Sequence, residues 1–141
     1  TLMSEARSRY NSAVISGTVM LLSDNFGPDC SKELAENSIQ RVREITCNAK
    51  LNELARSKAA FRPVELGAET CPVYTAKIGG KYYAAFFNFR REPQTISLEA
   101  RRGGIPAIGK VTDLNRDIRW QYTSVLSVAL EPMDSAIVEI E

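Results

Sequence analysis

Histidine is absent from the 141 residues, and neither charge sign dominates. Without histidine the chain lacks the commonest general base and metal ligand, and every Ser-His-Asp arrangement is excluded. Lysine and arginine number 18 and aspartate and glutamate 17, so the net charge is +1. Nucleic-acid-binding domains normally carry a clear basic excess, so no nucleic-acid partner is expected.

Cysteine is sparse, and Cys30, Cys47 and Cys71 form no C-x-x-C pair. This spacing gives no support to a zinc or iron–sulfur site, and no metal or cofactor is predicted. We interpret the cysteines as small apolar residues of the interior, with one disulfide or a reactive thiol as the alternative. The longest apolar run, 13–22, is too short for a membrane span, and no signal-peptide pattern is present. No membrane partner is therefore expected.

The composition changes near residue 60. Only two of the 11 aromatic residues, Tyr10 and Phe26, lie in the first 60 residues. Aromatic side chains favour strands, whereas Ala, Leu, Glu and Arg favour helices. The change predicts a helical part over 1–60 and a strand-rich part over 61–141.

The first part has the order helix, strand, helix. Apolar residues at helical spacing predict helices over 4–14, 31–46 and 48–57. Between the first two lies the run TVMLL at 18–22, which is typical of a strand buried on both faces in a parallel sheet. One such unit cannot bury its strand alone, so it needs neighbouring strands that these residues do not supply.

In the second part the apolar period becomes two, which indicates an antiparallel sandwich or barrel. Strands are predicted at 73–78, 81–89, 95–100, 110–114, 124–130 and 136–140. Gly79-Gly80 predicts a tight hairpin turn. The strand KYYAAFFNF at 81–89 is apolar on both faces, so we expect it to be central and covered by the second sheet on one face and by the helical part on the other.

The order of these segments resembles the C-terminal end of α-galactosidase (melibiase)-like glycoside hydrolases. The resemblance rests on a series of short phrases: AVISGTVMLLSDNF, then FRPVEL, then YYAAFFNFRREPQTISLE, then VTDLNRD, and finally SVLSVALEPMDSAIVEIE. It covers essentially the whole chain, and no single phrase is decisive.

The resemblance implies a fold and a role. Residues 1–60 would be the last strand and flanking helices of a (β/α)8 barrel, and residues 61–141 a mainly β, antiparallel C-terminal β-sandwich. In that family the two catalytic aspartates end earlier barrel strands, so no catalytic residue is assigned in this chain. The sandwich would stabilise the barrel, and the rest of the barrel would be its partner. No cofactor is implied.

Two places are candidates for sugar contact. Asp24 and Asn25 directly follow TVMLL, at the end of a barrel strand where such active sites lie, and can hydrogen-bond to sugar hydroxyls. The alternative is that they shape the turn or cap the next helical segment. Trp120 is the first candidate for sugar stacking, with packing in the core as the alternative.

Two other functions remain open from the sequence. A free-standing carbohydrate-binding module predicts exposed aromatic side chains and sugar affinity without turnover. A structural or oligomerisation domain predicts self-association through residues 1–57, because TVMLL lacks strand partners. If the chain is monomeric, the helical part is expected to fold back over the sandwich.

Overall fold

A computed structural model describes residues 3–18, 32–67 and 69–141, with the side chains of α2 described from Glu36 onward. The helices are α1 (Met3–Ser16), α2 (Lys32–Arg41), a π-helical turn (Val42–Thr46), α3 (Ala49–Arg56) and the single turn α4 (Ala100–Gly103). The strands are β1 (Arg62–Pro63), β2 (Val73–Ile78), β3 (Lys81–Phe87), β4 (Gln94–Glu99), β5 (Ile108–Asp113), β6 (Ile118–Thr123), β7 (Val125–Leu130) and β8 (Ser135–Ile140).

The eight strands are antiparallel and follow the order β1-β2-β3-β8-β5-β6-β7-β4. β6 meets β7 at a single pair, Thr123 with Val125, on either side of Ser124, whose φ is 62°. The sheet bends sharply at this point. As a result, β7 and β4 lie opposite the part of the sheet formed by β2, β3, β8 and β5, with one apolar core between them. The architecture is the predicted β-sandwich.

β3 is the central strand that its two apolar faces predict. Ala84 and Phe86 belong to the core between the sheets, whereas Ala85 and Phe87 belong to a second core under the helices. Leu51 and Leu54 of α3 are part of the second core. The helical part therefore folds over the outer face of the sandwich, and the described residues form three layers.

The predicted elements agree with the structure apart from a few details. The Gly79-Gly80 hairpin is confirmed, with φ values of 58° and 81°. The helix predicted over 31–46 finishes in a π-helical turn, and the strand predicted over 95–100 ends at Glu99, because Ala100 begins the single turn α4. Of the strand predicted at 18–22, only Thr18 is described, in a bend, and 19–22 lie outside the described residues. β1 and β6 were not predicted.

The cysteine prediction is right for Cys71, which is buried, and wrong for Cys47, which is exposed. Cys30 lies outside the described residues. Among the residues that the structure covers, no helix is long and apolar enough to cross a membrane. No group of three or more His, Cys, Asp or Glu side chains within those residues is placed to hold a metal ion.

Candidate functional site

Helix α1 is attached to the sandwich by a buried aspartate. Asp134 lies in the turn before β8, with its side chain only 4% exposed. Arg7 of α1 donates from Nη1 to both carboxylate oxygens of Asp134, at 2.8 and 2.7 Å. One residue along the helix, the Ser8 hydroxyl donates to the Met133 carbonyl at 2.8 Å. A charged contact between residues far apart in sequence thus fixes the helix over this turn.

A second arginine joins the same aspartate to the turn after β5. Arg116 donates from Nη2 to Asp134 Oδ2 at 2.7 Å and from Nη1 to Asp113 Oδ2 at 3.0 Å. The other oxygen of Asp113 accepts from the backbone N–H groups of Asn115 and Arg116, which is the pattern of an Asx turn. Both aspartates are therefore compensated by guanidinium groups, as buried charges require.

Neutral side chains complete the contact one helical turn further along α1. Asn11 is fully buried, and its Nδ2 donates to Ser135 Oγ at 2.9 Å. Asn11 and Asn115 also exchange amide hydrogen bonds, at 3.1 and 3.0 Å. The Asn115 carbonyl oxygen accepts in addition from the backbone N–H of Ile137 in β8, at 2.9 Å.

We call these seven residues the junction network; they are Arg7, Asn11, Asp113, Asn115, Arg116, Asp134 and Ser135. No described side-chain nitrogen or oxygen atom is buried without a hydrogen-bond partner. A satisfied buried network adds specificity, because another placement of the helix leaves its charges and amides unpaired.

Helix α3 is attached by a different asparagine. Asn48 caps the helix by accepting from the Leu51 N–H at 3.1 Å, and its Nδ2 donates to the Leu114 carbonyl at 2.6 Å. Tyr10 of α1 donates to the side-chain oxygen of Asn52 in α3. Helices α1 and α3 are therefore each hydrogen-bonded to the sandwich and also to one another.

A polar groove of about 1020 Å³ lies between α3 and the outer face of the sheet. In this groove the Glu139 carboxylate accepts hydrogen bonds from the Tyr83 hydroxyl at 3.2 Å and from Lys81 Nζ at 3.3 Å. Burial raises the pKa of Tyr83, and Glu139 raises it further. The hydrogen bond from Lys81 to Glu139 and the charge of Glu139 raise the pKa of Lys81.

On the other flank of α1 lies a more apolar groove of about 680 Å³. We call it the aromatic groove, and it is lined by Tyr74, Phe87, Phe89 and Met133 of the sandwich and by Glu5, Arg9, Ser12 and Ile15 of α1. The rings of Phe87 and Phe89 stack with centroids 5.9 Å apart and an interplanar angle of 4°, and Tyr74 meets Phe87 edge-on at 5.9 Å.

The structure gives a partial view of the predicted site residues. Asp24 and Asn25 lie outside the described residues. Trp120 is half-buried, packs against the core between the sheets and also borders the polar groove. The side chain is therefore shared between the core and the surface.

The residues of the junction network were not singled out individually from the sequence, but signals for them exist. Asp113, Asn115 and Arg116 lie in the phrase VTDLNRD, and Asp134 lies in the turn PMDSA. Both phrases carried the resemblance. Asn11 is a polar residue on the helix stripe that also contains Val14 and Ile15, one turn away.

The comparison with solved structures agrees with the resemblance at the level of the fold. α-Galactosidase I from Mortierella vinacea matches 99% of this chain with a TM-score of 0.79 at 8% identity, over 36% of its own length. A β-L-arabinopyranosidase from Geobacillus stearothermophilus matches 99%, with a TM-score of 0.71 at 17% identity, over 30% of its length. Isomaltodextranase from Arthrobacter globiformis T6 matches 99%, with a TM-score of 0.76 at 18% identity, over 24% of its length.

The chain thus has the fold of part of these α-galactosidase-like glycoside hydrolases and spans about a quarter to a third of their length. Their names cover three different activities, so the fold alone does not select a sugar. No protein-family model and no curated protein matches the sequence.

Proposed function

We propose that this chain is the non-catalytic C-terminal portion of an α-galactosidase-like glycoside hydrolase, in which the sandwich stabilises the catalytic barrel. The observation that carries the proposal is the junction network. It joins a helix of the helical part to two turns of the sandwich, through the ion pairs of Asp134 with Arg7 and Arg116 at 2.7 Å.

The energetic role follows from the helix itself. α1 has 14 residues, and an isolated helix of that length is marginal in water. Packing of Val14 and Ile15 into the second core provides the apolar contribution. The junction network then allows one orientation of α1. In the proposal α1 and α2 are barrel helices, so the sandwich holds one side of the barrel in place.

The chemistry belongs to the rest of the protein in this proposal. Hydrolysis of a glycoside normally needs two carboxyl groups flanking the bond. Asp113 and Asp134 are close together, but guanidinium and backbone groups occupy their oxygens, which suits a structural role. The parent reaction would be hydrolysis of a terminal α-linked galactose or related sugar through a covalent glycosyl-aspartate.

Asp24 and Asn25 would contribute to the sugar site of the complete enzyme. They follow the segment predicted as a barrel strand, and barrel active sites lie at the C-terminal ends of strands. In the complete enzyme, Asp24→Ala is expected to raise KM for the glycoside and leave the unfolding temperature unchanged. An unchanged KM would assign Asp24 to the turn.

The first test is to read the codons that precede Thr1. The proposal expects an open frame of several hundred codons with aspartates at the ends of predicted barrel strands. The complete protein should then hydrolyse nitrophenyl α-galactosides or related glycosides, whereas residues 1–141 alone should not. A start codon directly before Thr1 would overturn the proposal.

A binding experiment separates the stabilising role from that of a carbohydrate-binding module. Residues 1–141 are titrated with galactosides, and the fluorescence of Trp120 is recorded. Trp120 is the single tryptophan, so its emission reports on one site. If the chain only stabilises the barrel, we expect no saturable change in fluorescence, because the Trp120 ring packs partly against the core. Saturable quenching that is lost in Trp120→Phe would favour the binding module.

A further inference from the structure

The aromatic groove is an apolar surface on an otherwise polar flank. Phe89 is 50% exposed although its ring stacks on the buried Phe87. Glu5 and Arg9, on the α1 side of the groove, form no ion pair with any residue that the structure describes. Exposed apolar surface bordered by unpaired charges is typical of a contact surface.

The position of the groove relative to α1 indicates what covers it. Successive residues of a helix are about 100° apart around its axis. Arg7, Asn11 and Val14 face the sandwich, and Tyr10 lies on the flank toward Asn52 of α3. Ser8 and Ile15 lie on the opposite flank and line the groove. Glu5, Arg9 and Ser12 lie further round toward the outer side of α1 and line its rim.

The described residues cover one flank of α1 more completely than the other. On the α3 flank, the ring pair Phe61–Tyr83, with centroids 6.4 Å apart, shares a core with Leu51 and Leu54 of α3. On the other flank, Phe87 is buried with Val14 and Ile15 of α1, but the ring of Phe89 that stacks on it is 50% exposed. In a (β/α)8 barrel each helix lies between the helix before it and the helix after it on the outer ring. The π-helical turn and α3, which follow α1 in the sequence, lie on one flank, so the helix that precedes α1 belongs on the other.

We infer that the aromatic groove seats the barrel helix that precedes α1 in the complete polypeptide. The inference rests on the proposed function and names the surface by which the sandwich reaches a further barrel helix. That helix should present an apolar ridge to Phe89 and Met133. Beside the ridge it should carry a basic residue facing Glu5 and an acidic residue facing Arg9. The contact continues the interface that α1 already makes with the sandwich.

The test is hydroxyl-radical footprinting, read by mass spectrometry, on residues 1–141 and on the complete protein. The expected result is a severalfold lower oxidation rate of Phe89 in the complete protein. Ile118, which is 54% exposed on β6, provides the control and should be oxidised at the same rate in both. An unchanged rate at Phe89 in a complete protein that is an active glycosidase would overturn this inference and leave the proposed function intact.

Concentration dependence separates a second copy of the chain from the preceding helix. If Phe89 of residues 1–141 alone becomes protected as concentration rises, and a dimer is seen by sedimentation, a second copy fills the groove and the inference is wrong. Phe89→Asp supplies an independent readout. It should lower the unfolding temperature of the complete protein more than that of residues 1–141, where it removes only the stacking on Phe87, whereas Ile118→Asp should affect neither. Equal effects of Phe89→Asp in the two proteins would contradict the inference.

Discussion

Asn11 and Asn115 lie 104 positions apart and exchange hydrogen bonds between their side-chain amides, at 3.1 and 3.0 Å. The pair joins the first described helix to the turn after β5. Each amide has a further partner: Asn11 donates to Ser135, and Asn115 accepts from the Ile137 N–H. The neutral pair therefore depends on the same turns of the sandwich as the charged pair beside it.

Asn11→Ala and Asn115→Ala should each destabilise the fold by roughly 1–3 kcal/mol, because each leaves buried polar groups without partners. The two changes share a contact, so the double variant should cost less than the sum by at least about 0.5 kcal/mol. Urea unfolding of the four proteins measures this coupling. Strict additivity would show that the amides do not interact.

Asp134→Asn should be among the most destabilising single changes in the junction network. It leaves Arg7 and Arg116 without their shared carboxylate, and breaking a buried ion pair costs about 3–5 kcal/mol. Since the two arginine side chains are 23% and 26% exposed, we expect roughly 2–4 kcal/mol. Thermal or urea unfolding of residues 1–141 provides the measurement.

Glu65→Gln is the matched control for Asp134→Asn. Glu65 pairs with Arg102 at 2.9 Å, but the two side chains are 51% and 59% exposed. Exposed pairs contribute about 0–1 kcal/mol, so the change should be nearly silent. If Glu65→Gln and Asp134→Asn had equal effects, burial of the junction network would not be the source of its stability.

Gly17→Ala tests the close contact at the end of α1. Gly17 has a φ of +70°, and a Cβ there would lie 2.8 Å from the Lys58 carbonyl oxygen. Gly67 has a φ of +86° with no atom within 4 Å of a Cβ, so Gly67→Ala separates backbone strain from the clash. We expect about 1 kcal/mol for Gly67→Ala and at least about 2 kcal/mol for Gly17→Ala. Equal losses would mean that the backbone near Lys58 moves aside.

Alkaline pH should weaken the fold through its buried tyrosines. Burial raises the pKa of Tyr83 and Tyr122 above the model-compound value of 10.0. A raised pKa in the folded state means a contribution to stability that is complete below the unfolded pKa and is lost as pH rises through the folded pKa. The unfolding temperature should therefore fall above about pH 10.

Absorbance at 295 nm isolates the contribution of Tyr83. Subtracting the titration of Tyr83→Phe from that of the unchanged protein should give a step above pH 10.0. Glu139→Gln should move this step back toward the ordinary value, because Glu139 is the second cause of the shift. A step at or below 10.0 in the unchanged protein would contradict the contact between Tyr83 and Glu139.

The apolar periodicity of the sequence predicted much of the fold, because the burial of each face of a strand or helix determines that periodicity. The two apolar faces of KYYAAFFNF required a cover on each side, and Phe86 and Phe87 do lie in two separate cores. β6 could have been found in the same way, since Ile118, Trp120 and Tyr122 alternate with polar residues. Its signal is weak, because only Tyr122 of β6 is buried.

The junction network shows what periodicity does not supply. Arg7 and Asp134 are ordinary polar residues in a helix and a turn, and their pairing depends on the tertiary arrangement of elements 127 positions apart. Phrases such as VTDLNRD marked the turns as distinctive, but not their contacts. Predictions for Asp24 and Asn25 remain predictions.

The position of β8 in the sheet determines when the sandwich and its contacts with α1 can form during translation. β8 follows every other described strand in the sequence, yet it lies between β3 and β5 in the sheet. Until Ser135–Ile140 has been synthesised, β3 and β5 have no common neighbour, and α1 lacks Asp134 and Ser135. Contacts of such large sequence separation form late and slowly. During translation α1 and α3 emerge before β8, so they remain exposed to chaperones and proteases until β8 has been synthesised.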